Sequence, residues 1–516
     1  MAAVCRRGFP SDDRGVARTS RHPRSRTLPA ILVFAAAIGS ACDRGVPQPG
    51  TSQTPAASTG TSVAFDAPKK LTLTYPQKTK NAKPVVGTDV DATAEGLPPH
   101  RKVDLLWGTV NGGWVVEDYF RFRGKRFTNT TRTLARAEVG ADGRLSVSFT
   151  IPEDYGGVHE IMVSDHGVTL AQGGVEVGQT FEMHPSEGPV GTPIELRAKG
   201  LGWRTLESTW VVNWDNREVG WVSATDTRGT AIARFRATGP VGDHPIKVYT
   251  GYMGQGYLNH EQAPNAYLPR PGFKFRVTPG SAVTAAAYAE PYHRASAPEQ
   301  KSGAATVAIT PLQGAVLTRA SVQGDGLPPN AHVSLVWGTQ AGSRVTETGF
   351  APKETELTTF TVGADGRFSA PVVIPDDLGG RHTISVRSGD KTLAQTIFIL
   401  ETSIVSISPT SGPLGTPVSI HLKGVGWTDV DNIYVLTYDN AYMGYACGFN
   451  SQGDVVVNFT AAGAPGVHLI DFYPGIYQGP ADGQQLYRLP QLTYADDHPG
   501  NKIPALRFAF QVTAGR

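Results

Sequence analysis

Cysteine is scarce: the chain has three in 516 residues. Two of them, Cys5 and Cys42, fall near the amino terminus, so no later position has a partner for an internal disulfide. Cys447 stands alone in the run YACGFN, a small-residue strand position that reads as a buried, inert thiol. Charge is also sparse. Asp, Glu, Lys and Arg make up 18% of the chain, and the formal net charge is +2. The first 41 residues carry seven arginines against Asp12 and Asp13, which leaves the rest at −3. A near-neutral chain of this size has no electrostatic footprint for nucleic acid, so that class of partner is excluded.

Long apolar runs are absent as well. The run at residues 28–38 is 11 residues long, and a membrane-spanning helix needs about 20. Catalytic signatures are missing too. The chain has no G-x-S-x-G elbow, no P-loop and no paired Cys-x-x-Cys, and His159-Glu160 is followed by Ile161, Met162 and Val163 where H-E-x-x-H would need a second histidine. The glycines of residues 251–256 lack the strand-turn-helix setting of a dinucleotide site. The expectation is a protein that is not an enzyme. Glycosidase carboxylates carry no short signature, however, so a hydrolase remains a third reading.

What the chain has in abundance is turn chemistry. With 59 Gly, 38 Pro and 9% aromatic residues, it has the composition of a multidomain exported β protein. Arginines at 6, 7, 14, 18, 21, 24 and 26 precede the apolar run, and Gly39-Ser40-Ala41-Cys42 follows it. Residues 1–41 therefore read as a bacterial export signal. Cleavage before Cys42 would allow a lipid anchor there, and small residues at Gly39 and Ala41 equally suit release by an ordinary signal peptidase. Residues 42–66, rich in Gly, Pro, Ser, Thr and Ala, read as a flexible tether, and residues 281–303 as a linker of the same character.

That linker divides two similar halves. Gly96-Leu97-Pro98-Pro99 with Trp107-Gly108-Thr109 recurs as Gly326-Leu327-Pro328-Pro329 with Trp337-Gly338-Thr339. Gly140-Ala141-Asp142-Gly143-Arg144 recurs at 363–367, and Asp-Gly between alternating runs is a hairpin signal. A Gly-x-His-x-Ile pattern appears four times, at His159, His244, His382 and His468. The predicted order is A-B-A-B: A1 at 67–178, B1 at 179–280, A2 at 304–401 and B2 at 402–516. Each unit is all-β, with short strands and turn signals at the spacing of an immunoglobulin-like β-sandwich. Each repeated His shares a strand face with the Ile two residues later, which suits a cap on a core strand better than a lone metal ligand. Trp107 and Trp337, inside VDLLWGT and VSLVWGT, read as core.

The B units share a fuller signature: SPTSGPLGTPVSIHLKGVGW at 408–427 and HPSEGPVGTPIELRAKGLGW at 184–203. Ser411-Gly412-Pro413 and Gly415 read as a turn, and Val418, Ile420 and Leu422 as the apolar face of the strand that follows. This order resembles the opening of the IPT/TIG family of immunoglobulin-like domains, with Trp203 and Trp427 where that family usually has Phe. The resemblance implies a binding, adhesion or spacing role at the cell surface.

Candidate ligand residues come from two places. Both B units have long, aromatic-rich final connections, and long loops on a rigid scaffold are where binding usually resides. They supply Tyr249, Tyr252, Tyr257 and Tyr267 in B1 and Tyr473, Tyr477, Tyr487 and Tyr494 in B2. If these tyrosines bind a ligand they should be exposed and clustered. If the chain is a passive stalk or envelope scaffold, they should pack against a neighbouring domain. The second source is A1, which is longer than A2 by 7 residues between aligned motifs and contains Trp114, Tyr119, Phe120, Arg121, Phe122 and Arg123. Alternation there turns Phe120 and Phe122 inward and Tyr119, Arg121 and Arg123 outward, a face able to stack a sugar or grip an acidic polymer. The expected partner is a surface polysaccharide or an envelope protein. No cofactor is expected unless Asp496 and Asp497 hold Ca²⁺ with carbonyls from elsewhere.

Overall fold

The computed structural model describes residues 67–77, 82–252, 254–293, 305–448, 451–477 and 487–515, leaving aside the side chain of Tyr252. The export signal, the tether and Cys42 lie outside the described residues.

Among the described residues, strands group into eight sheets, in which three-stranded sheets alternate with sheets of five or six strands. Between residues 71 and 177, one sheet of each kind encloses a core containing Val103, Leu105, Trp107, Phe149, Ile161 and Val163. The same arrangement recurs three more times along the chain, each with its own apolar core. Period-2 burial explains why these segments are strands. In Asp89–Ala94, exposed and buried residues alternate without a break, as they do in Pro193–Lys199 up to its last residue. One face of each strand removes apolar surface from water while the other stays wet.

The opening strand of each sandwich is shared between its two sheets. Ser403–Ser408 pairs antiparallel with Pro417–Lys423, and Ser411–Pro413 then runs parallel to Leu506–Thr513. The second and third sandwiches repeat this exchange. With long sheets ordered A′-G-F-C-C′ in sandwich nomenclature, the architecture is immunoglobulin-like. Ser411-Gly412-Pro413, expected as a turn, is thus a short edge strand, and the turn lies at Leu414-Gly415, where Gly415 adopts φ +89°. Pro413 fits because an edge strand has no neighbour on the side where a proline lacks its N–H. Val418, Ile420 and Leu422 are buried as the alternation predicts.

The repeated histidines have structural roles. His159 stacks on Trp107 at 4.1 Å and His382 on Trp337 at 4.3 Å. Burial holds both imidazoles below their usual pKa. In the second and fourth sandwiches the ring beneath is Trp214 or Tyr438, and an aspartate, Asp215 or Asp439, lies against Nδ1 of His244 or His468. Trp107 and Trp337 are fully buried and donate their indole N–H to Asp154 and Asp377.

Part of the segment read as a linker is structural. Ala287–Ala289 pairs antiparallel with residues 506–508, adding a strand to the fourth sandwich. The Tyr292 hydroxyl accepts the Thr402 N–H at 2.7 Å. Low-complexity composition hid this strand, since Ala-Tyr-Ala is too short to show a period.

Candidate binding cleft at the hairpin tips

The extra length of the first sandwich forms a hairpin arm. Lys102–Glu117 and Arg121–Glu138 are paired far beyond the core of their own sandwich. Gly112, at φ +144°, permits the crossing: a Cβ there would lie 1.9 Å from the Arg126 carbonyl. The tip is a tight turn through Asp118 and Tyr119, both at positive φ (50° and 59°).

The arm carries its aromatics to other sandwiches. Phe122 is buried with Trp221 of the second sandwich and Val430, Ile476 and Tyr487 of the fourth, and Trp114 and Val116 pack against them. Trp114 donates its backbone N–H to Asp226 at 2.8 Å and its indole N–H to the Asp497 carbonyl at 2.6 Å. Lys125, 4.9 Å above the Trp114 ring, donates to the Ser208 hydroxyl at 3.0 Å, and burial lowers its pKa to about 8. Trp114 is therefore a junction residue, half-buried among neighbours.

Asp429 ties three elements together. One carboxylate oxygen accepts the Phe122 N–H at 3.1 Å and the other the Arg344 Nη1–H at 3.0 Å. Its own N–H donates to Phe120 O at 2.9 Å, and its carbonyl accepts the Tyr477 N–H at 2.8 Å. Hairpins of the first and third sandwiches thus meet on the fourth.

Where the two tips meet, a cleft of 480 Å³ opens, lined by Phe120, Arg121, Phe122, Arg123, Arg344, Thr348, Gly349, Phe350, Trp427 and Asp429. Trp427 is its floor, with Phe120 at 5.2 Å, Phe350 at 5.7 Å and Tyr119 edge-on at 6.3 Å. Tyr119, Arg121 and Arg123 face solvent as the alternation predicts. Phe122 is buried, though against the second and fourth sandwiches and not in its own core. A second cleft of 490 Å³ lies beside Trp203 on the first sandwich. There both His159 nitrogens already sit 2.8 Å from backbone carbonyls.

In the described residues of the Tyr-rich stretch of the fourth sandwich, Tyr473 lies within the strand Gly466–Gly475 and the connection resumes at Tyr487. Tyr473, Tyr487 and Tyr494 are buried, and Tyr473 and Tyr494 join the core of the second sandwich. Residues 490–492 meet that sandwich through a parallel bridge at Trp221 and Gln491: Trp221 N–H donates to Pro490 O and Leu492 N–H to Trp221 O, each at 2.8 Å. Tyr477 lies between the Arg344 and Arg488 guanidiniums, 4.5 and 5.5 Å from its ring. Exposed, clustered ligand tyrosines at 473, 487 and 494 are therefore corrected, because apolar rings with a neighbouring sandwich in reach gain more from burial there than from water.

Beneath them lies a buried charged network. Arg236 pairs with Asp471 at 2.5 Å, and Arg507 lies 3.4 Å from Asp471 and 2.8 Å from Glu290. The Tyr494 hydroxyl accepts from Arg507 at 3.0 Å and donates to Glu290.

Asp496 and Asp497, the carboxylates considered for Ca²⁺, both have protein partners. Asp496 pairs with Arg234 at 2.6 Å, and Asp497, buried, accepts the Ser223 hydroxyl at 2.5 Å and the Asp226 N–H at 2.6 Å. A cation would have to displace donors already aimed at both carboxylates. His498 is buried between Gln491 and Val430, and burial lowers its pKa to about 3.

In the second sandwich's own final connection, Tyr249 and Tyr257 are half-buried and Tyr267 is 50% exposed. Tyr267 donates to Glu207 at 2.8 Å. Cys447 is partly buried, and burial pushes its thiol up to about 12, which keeps it protonated and unreactive. Arg344, Phe350 and Asp429 carry no motif or spacing that marks them in the sequence.

No family model matches the sequence, and neither does any curated protein. Among solved structures, the bacterial integrin-binding protein invasin is similar at 10% identity and a TM-score of 0.16, covering 86% of this chain and 79% of invasin. The Escherichia coli adhesin FdeC is similar at 14% identity and 0.16, covering 65% of this chain and 97% of FdeC. A putative membrane-anchored protein of Corynebacterium diphtheriae gives 13% and 0.17, covering 64% and 89%. Against E. coli alpha-2-macroglobulin, at 10% and 0.17, the match covers 81% of this chain and 31% of that one. At these scores the fold assignment rests on the strand pairings themselves.

Proposed function

We propose that this chain is an exported, non-enzymatic bacterial envelope protein that acts as a scaffold, holding its four sandwiches in fixed register to display a surface. The observation that carries the reading is that Tyr473 and Tyr494 of the fourth sandwich are buried in the core of the second, with Trp221 and residues 490–492 hydrogen-bonded beside them. A flexible string of beads would have no use for that staple, for the hairpin arm or for the Asp429 hub. In this reading the leader exports the chain, the tether follows it, and Cys42 provides a lipid anchor to the membrane. The displayed surface meets a polysaccharide or protein of the envelope or its surroundings.

Calorimetry of the whole chain tests the scaffold. Sandwiches fastened by buried contacts unfold together, with calorimetric and van't Hoff enthalpies in agreement. Separate transitions for separate sandwiches would refute it.

A further inference from the structure

We infer that the cleft between the two hairpin tips is a binding site for a carboxylated, uronate-bearing polysaccharide. This rests on the scaffold reading and names the surface it displays and the ligand that surface takes.

Charge comes first. The cleft is lined by three arginines and one carboxylate, Asp429. Asp429 is committed to Arg344 and to the Phe122 N–H, while Glu117 outside the lining holds Arg123 at 2.7 Å. Arg121 is exposed and pairs with no carboxylate among the described residues; its guanidinium lies 5.1 Å from the Phe120 ring. Arg344, which lines the opposite wall, keeps a buried Nε–H with no hydrogen-bond partner, a donor that native proteins seldom leave unused. Arg121 thus offers an open guanidinium, whose forked geometry matches a carboxylate, while Arg344 on the opposite wall, bonded to Asp429 and to the Trp427 carbonyl, contributes positive charge.

Shape comes second. Between the arginines the lining is aromatic, with Phe120 and Phe350 flanking Trp427. Aromatic faces beside cations suit a ring with apolar C–H faces and an ionised substituent, the chemistry of a uronate residue. Arg121 and Arg123 point the same way along one strand, about 6.6 Å apart along the backbone, and Arg123 is shared with Glu117, so Arg121 is the arginine a polymer carboxylate would engage first. Tyr119 stands at the very tip, half-exposed, in a two-residue turn whose positive φ values, 50° and 59°, have counterparts at Asp215-Asn216 and Asp439-Asn440 and belong to the hairpin itself. What it adds to the cleft is an aromatic ring edge-on to Trp427 at 6.3 Å.

The test is affinity electrophoresis of the full chain in gels containing polygalacturonate, neutral dextran or poly-glutamate. Retardation by polygalacturonate alone, weakening with added salt and falling at least 10-fold in Arg121→Glu, is the expected result. Tyr119→Gly, which removes the ring while keeping the turn, should also weaken retardation. Arg121 is exposed and faces Glu117 across the hairpin, so circular dichroism checks that Arg121→Glu folds, and Arg121→Gln, which removes the charge without adding a second carboxylate, should weaken retardation as well. Equal retardation by poly-glutamate would overturn the sugar in favour of an acidic peptide. Retardation by dextran, unchanged binding by Arg121→Glu, or no retardation in any gel would overturn the site. None of these outcomes alters the calorimetric test of the scaffold.

Discussion

Arg236 of the second sandwich and Asp471 of the fourth form an ion pair of 2.5 Å in which both side chains are almost wholly buried. Arg507 approaches the same carboxylate at 3.4 Å, so one aspartate holds two guanidiniums away from water. Such a network is costly to assemble and more costly to break, because removing one member strands the others without solvent.

Asp471→Ala is expected to lower unfolding stability by about 3–5 kcal/mol, measured by denaturant titration. Asp471→Asn keeps the size and should still lose a large share of that amount. A loss under about 1 kcal/mol in both variants would mean that the pair is solvated and the sandwiches are not sealed against each other.

Phe122→Ala should cost about 3–5 kcal/mol, since its ring is buried among Trp114, Trp221 and Tyr487. Tyr267→Ala, at a half-exposed ring, should cost far less. Comparable effects would show that the arm does not dock.

Glu218 gives a pH test. Burial raises its carboxyl from 4.5 to about 7, and one of its oxygens has no hydrogen-bond partner. A folded pKa above the unfolded one means that this proton-linked stability is fully present below about pH 4.5 and is lost as pH rises through 7. Glu218→Gln should therefore stabilise the protein more at pH 8 than at pH 5, by about 2 kcal/mol. His498, with its pKa lowered to about 3, acts in the other direction, losing stability as pH falls below 6.5. Comparing variant with parent at each pH cancels it. Equal gains at both pH values would contradict the assignment.

The immunoglobulin-like strands were legible because alternation and Gly-x-His-x-Ile report local geometry: Val418, Ile420 and Leu422 face inward, and His159 and His382 lie on the indoles of Trp107 and Trp337. The outward set Tyr119, Arg121 and Arg123 was legible for the same reason. The fate of Tyr473, Tyr487 and Tyr494 was not. A tyrosine-rich loop has one composition whether it meets a ligand or a neighbouring sandwich, and only tertiary packing decides between them. Arg344 and Asp429 were hidden because each draws its role from chain segments far apart in sequence. The strand Ala287–Ala289 was hidden because its partner, not its own pattern, makes it a strand.

Hydrogen exchange at the amides of Trp221 and Leu492 tests the scaffold most directly, since these N–H groups stitch the connection of the fourth sandwich to the second. The account predicts protection comparable to core-strand amides such as that of Val212, released only by global unfolding. Exchange at the rate of an open loop at either amide would contradict it.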